Sequence, residues 1–89
     1  MSENEDKKMR VRFTLHAEEK LKRLVNIEVT QKKVLEIIET PEKVVNGYYG
    51  RKIAQGLISG SLILRIVYED IDSEIVVVTV YPGERRRYE

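Results

Sequence analysis

Arg65 stands inside an apolar run, LILRIVY, and the chain closes VYPGERRRYE, so that Arg85, Arg86 and Arg87 precede Tyr88. His16 is the only histidine, the residue type most often used as a general acid or base. Residues of these types could cut an RNA phosphodiester without a metal. The ribose 2′-hydroxyl would be oriented for attack on its own phosphate, arginines would balance the developing charge, and an acid would protonate the leaving oxygen. On that reading Arg65 is a phosphate clamp and Arg85 and Arg87 add electrostatic support. Tyr88 stacks on a base or moves a proton, and His16 is the acid/base candidate. A histidine at a strand end that hydrogen-bonds the following helix is the competing, and favoured, reading of His16.

Composition bounds these ideas. Eighty-nine residues suit one domain with a single two-layer core. Cysteine is absent, which excludes disulfides, thiolate metal sites and a cysteine nucleophile. One histidine and scattered acids offer no metal-ligand spacing, and no glycine-rich phosphate loop is present, so no metal or other cofactor is expected. Lys+Arg number 16 against 15 Asp+Glu, a formal net charge of +1, so any basic site must arise from arrangement rather than from excess. The longest uncharged run, IAQGLISGSLIL, has 12 residues, short of the ~20 that a membrane-spanning helix needs. MSENEDKK lacks the apolar stretch of a signal peptide, which predicts a cytoplasmic protein with no membrane partner. Abundant Glu, Lys and Arg with few amides leans towards a thermophilic source.

These residues need elements to hold them. Residues 1–8 are polar and read as a flexible N-terminal tail, and residues 9–89 as a single domain. Val11, Phe13 and Leu15 alternate with Arg10, Arg12, Thr14 and His16, the pattern of a half-buried first strand. Ala17, Leu21, Leu24 and Val25 follow helical spacing, with Glu18 and Glu19 in the first turn. Thr30 can cap a second helix carrying Val34, Leu35, Ile37 and Ile38, which Thr40 before Pro41 ends. Asn46-Gly47 is a hairpin signal, but a loop is the preferred reading. Three strands then follow: an edge strand over 49–58, and central strands over 62–69 and 75–81, the last stopped by Pro82 and Gly83. The expected fold is α+β, a two-layer β-α-α-β-β-β sandwich with a mainly antiparallel four-stranded sheet and both helices on one face.

Alternation assigns the faces. Leu62, Leu64, Ile66 and Tyr68 should meet the helices, which turns Arg65 outward among Ile63, Val67, Val76, Val78 and Val80. A two-residue loop at Ser59-Gly60 sets Ala54 opposite Arg65 and puts Lys52 on Arg65's face. Arg10, Arg12 and His16 join them, giving a basic face able to bind RNA phosphates, with Arg85, Arg86 and Arg87 close by. A solvated outer face that discourages edge pairing is the competing reading. A guanidinium on so apolar a surface needs an anionic partner, for which Glu69 and Glu74 are structural candidates.

The segments LHAEEKLKRL, VTQKKVLEIIETPEKVV, LRIVYED and IVVVTVYPGERRRYE together resemble the prokaryotic family called domain of unknown function 4258, over residues 13–88. That family is similar in layout to the RelE/ParE toxin superfamily, which includes messenger-RNA endonucleases and gyrase poisons neutralised by antitoxins. The resemblance implies a RelE-like domain with sheet order 1-4-3-2. The chain departs from the family where arginines follow His-Ala, having Lys20 and Arg23 instead. A non-catalytic alternative uses the valine-rich face or an exposed edge to take a partner strand, a second copy in a homodimer, or an antitoxin protein.

Overall fold

The computed structural model describes residues 10–88; the tail expected over 1–8, and Met9, lie outside the described residues. The elements are β1 (Arg10–Phe13), α1 (Leu15–Arg23), α2 (Gln31–Glu39), β2 (Lys43–Asn46), β3 (Lys52–Ser59), β4 (Leu62–Ile71) and β5 (Glu74–Glu84). Single 3₁₀ turns cover Val25–Ile27 and Arg85–Tyr88, and Tyr48–Gly50 is a tight turn with left-handed backbone at Tyr49. The fold is α+β, with two helices on a five-stranded mixed sheet of order β1-β5-β4-β3-β2. β1 runs parallel to β5, and the other pairs are antiparallel. Among the described residues no helix is long and apolar enough to cross a membrane.

The first correction is the fifth strand. Residues expected to form a loop pair as a hairpin, β2 with β3, so β3 is covered and β2 takes the edge. Its connection, Gly47 to Arg51, is closed by a hydrogen bond from Gly47 N to Arg51 O at 2.8 Å. A second correction falls at the first helix. β1 stops at Phe13 because Thr14 is the N-cap of α1, its hydroxyl accepting from Ala17 N at 3.1 Å. Leu15, expected in the core, is therefore helical and 72% exposed. Thr30 caps α2 in the same way, accepting from Lys33 N, and the helix ends at Thr40.

The core lies between the helices and one face of the sheet. Ala17 and Leu21 of α1 and Val34, Ile37 and Ile38 of α2 pack on Ala54, Leu64, Ile66, Tyr68, Ile75, Val77 and Val80. α2 comes so close to β3 that a Cβ on Gly56 would lie 2.6 Å from Ile37, which explains the glycine. Burial, with a contribution from the Asp70 carboxylate, raises the Tyr68 phenol above its ordinary pKa.

Two register shifts alter the other face. Ser59 pairs with Leu62 but Leu57 with Ile63, so Ile58 is an extra residue in β3. The turn thus falls at Gly60-Ser61 rather than Ser59-Gly60, with Gly60 at φ 55°. Gln55 rather than Ala54 then stands opposite Arg65, and Lys52 pairs with Tyr68 on the helix side. In β5, Val67 pairs with Thr79 but Tyr68 with Val77, so Val78 is extra. Thr14 holds this bulge, donating from its hydroxyl to Val78 O and from its backbone to Val77 O. Beyond the bulge Val80 faces the helices, while Thr79 and Tyr81 replace the expected Val78 and Val80 on Arg65's face. β5 also runs through Pro82 and Gly83 to Glu84. β1 pairs with it only as far as Val77, so at Pro82 that side of β5 carries no ladder for the missing N–H to interrupt.

Candidate functional site

Arg65 projects from the face away from the helices, between Gln55 on β3 and Tyr81 on β5. It is 8% exposed and Gln55 only 2%. Arg65 Nε donates to Tyr81 Oη at 3.0 Å and its Nη1 to Gln55 Oε1 at 2.7 Å. Gln55 Nε2 in turn donates to Glu42 Oε1 at 3.1 Å, and Glu42 Oε2 accepts from Arg85. An amide suits the middle of this chain because it accepts from a guanidinium at one end and donates to a carboxylate at the other. Among the described residues Arg65 has no carboxylate within ion-pair distance. Its charge is met by the amide, by the phenol oxygen and by the Tyr88 ring, whose centroid is 4.1 Å from Cζ.

The C-terminal segment is docked on this group. Arg85 N donates to Ser61 O at 2.8 Å, Arg85 pairs with Glu42, and Lys43 Nζ donates to Tyr88 O. A Cβ on Gly83 would lie 2.8 Å from the Tyr88 ring, so the glycine makes room for the tyrosine. Arg65 and Tyr88, expected in one site, are thus brought together, packed against each other rather than set across an open cleft.

Other expected members lie elsewhere. His16 is not at a strand end on the outer face; it is exposed in the first turn of α1, in the layer on the opposite side of the sheet, because Thr14 starts the helix before it. Lys52 is exposed on the helix side for the register reason given above. Arg10 and Arg12 stay on the outer face of β1, but Arg12 pairs with Glu74 at 3.2 Å. Glu69, one of the two candidate partners of Arg65, pairs with Arg51 at 3.0 Å. Three arginines of this side of the molecule are therefore neutralised locally, whereas Arg86 and Arg87 are exposed and make no ion pair among the described residues. Those residues hold no cluster of three or more metal-ligating side chains.

A groove of about 620 Å³ opens beside Arg65, on the same face. Ile53, Val67 and Tyr81 form its floor and wall, and Tyr48, Tyr49 and Arg51 of the β2–β3 connection form its rim. Tyr48 and Tyr49 are 86% and 92% exposed. Tyr49 has left-handed backbone (φ 60°, ψ 36°), a conformation a bulky residue seldom adopts, so the turn carries local strain. Gln55, Tyr81 and this pair were not among the expected site residues. Two adjacent tyrosines beside an Asn-Gly turn are a usable signal in the sequence; the places of Gln55 and Tyr81 depend on the bulges.

No family model matches the chain, and no curated protein or solved structure matches it.

Proposed function

We propose that this domain binds single-stranded RNA on the sheet face away from the helices, taking a base in the tyrosine-rimmed groove, and that it binds without cutting. The observation that carries the reading is the exposed Tyr48–Tyr49 pair beside a groove walled by Tyr81. Aromatic faces presented to solvent take nucleobases by stacking, worth roughly 1–3 kcal/mol per base. Arg86 and Arg87 supply cations for the backbone. Catalysis is left out because Arg65 and Tyr88 are spent on each other and His16 stands on the far side of the sheet. An RNA ligand would place its work in the cytoplasm.

A second reading has its own support. With Arg12, Arg51 and Arg85 each paired to a glutamate, the face is less basic than its arginine count suggests, which suits a protein partner. That partner would be a second copy or, as the resemblance in sequence implies, an antitoxin-like segment.

Fluorescence anisotropy with labelled oligouridine separates the two. Binding at low salt that weakens as salt rises is expected. Tyr48→Ala with Tyr49→Ala should cost about tenfold or more in affinity at unchanged melting temperature. Absence of binding at low salt, or binding indifferent to both tyrosines, overturns the RNA reading. Cleavage products on a gel would overturn the non-catalytic part.

A further inference from the structure

We infer that Arg65 is a positioning residue of the groove: it fixes Tyr81 with the hydroxyl proton turned outward as a donor, and it is itself fixed by Tyr88, so that docking of the C-terminal segment and occupation of the groove are linked. This rests on the groove being the base-binding site.

The donor polarity follows from the chemistry of the pair. A guanidinium has only donors, so in the 3.0 Å contact the Tyr81 oxygen must accept from Arg65 Nε. A phenol hydroxyl has one hydrogen, and with its oxygen accepting from Arg65 Nε that hydrogen turns away from the guanidinium. Among the described residues the Tyr81 hydroxyl donates to no partner. Tyr81 lines the groove beside Ile53 and Val67, side chains with no polar atoms, so a directed phenol proton has an acceptor to gain there: a base carbonyl or ring nitrogen. Without Arg65 the hydroxyl could turn either way, and the ring would lose its tether.

The link to the tail follows from burial. Arg65 keeps its place as a nearly buried cation with no carboxylate in contact only while Tyr88 covers its plane and Gln55 holds Nη1, and Gln55 is anchored through Glu42 to Arg85 of the same segment. Tyr88 does not line the groove, yet two contacts separate it from the wall: Tyr88 on Arg65, and Arg65 on Tyr81. Linkage requires the effect to run both ways.

The test is a double-mutant cycle on the full chain, read by anisotropy with oligouridine, each variant first checked by its melting transition. Tyr88→Ala is expected to weaken binding about fivefold. Tyr88→Phe, which keeps the ring, should restore it. In a Tyr81→Phe background Tyr88→Ala should have no further effect, because the wall it supported has already lost its donor. Additive losses, or a Tyr88→Ala protein that melts lower but binds as wild type does, overturn the inference. Should Tyr88→Ala not fold, the wild-type protein decides. Titrating oligouridine while following tyrosine ring signals by NMR must shift Tyr88 together with Tyr81, and a stationary Tyr88 signal overturns the link. Tyr48→Ala with Tyr49→Ala serves as the control: binding indifferent to that change condemns the base-binding groove itself, whereas loss there with additivity in the cycle condemns only the role of Arg65.

Discussion

The two faces of one sheet are closed by different means. Towards the helices, Leu64, Ile66 and Val77 meet Ile37, Ile38 and Leu21 in a layer that is apolar but for the Tyr68 phenol, where affinity between surfaces needs chiefly volume and the right period. On the far side, next door in sequence, Arg65 is almost as buried as Leu64 but is held by a phenol, an amide and a stacked ring, each from a different strand or from the C-terminal segment. The apolar side tolerates small errors of direction; the polar side works only if every partner arrives at its place. Stability should therefore reside chiefly in the first and specificity in the second.

The largest break in this comparison is expected from Leu64→Ala, which empties a fully buried site on the helix side and should cost about 3 kcal/mol in urea unfolding. A smaller loss from Leu64→Ala than from disrupting the Arg65 side would reverse the ranking of the two faces. Ending the chain at Glu84 comes next: it removes the Tyr88 stack and the Arg85 contacts with Ser61 and Glu42, uncovers Arg65, and should cost about 2 kcal/mol by thermal melting. A melting temperature equal to wild type would mean that the segment contributes nothing to this face. The smallest effect belongs to Arg12→Ala. Its pair with Glu74 is open to solvent, and the change should register as about 0.5 kcal/mol or less, vanishing at high salt. A larger, salt-independent loss would show that the outer face depends on its surface ion pairs as well as on the Arg65 cluster.

Much of the apolar side was legible from residue order alone. Thr30 before a helical stripe, Thr40-Pro41 after it, and the alternation of Leu62, Leu64, Ile66 and Tyr68 are local signals, because caps and strand faces depend on neighbours a few residues away. The outward direction of Arg65 followed from the same alternation, and so did the places of Arg10 and Arg12. What those signals could not carry was register between strands. One extra residue at Ile58 exchanges Ala54 for Gln55 beside Arg65 and sends Lys52 to the helix side, and one at Val78 brings Tyr81 outward and takes Val80 inward. Each bulge reverses every side chain beyond it, and its position is decided by contacts distant in sequence, such as Thr14 holding Val78. The pairing of Val44 and Val45 with β3, and the docking of Tyr88 over Gly83 and Arg65, belong to the same class. Composition and period thus determined a two-layer α+β domain with an arginine turned out of its core. Only the assembled sheet decided which groups would surround that arginine, because each reaches it from a different part of the chain.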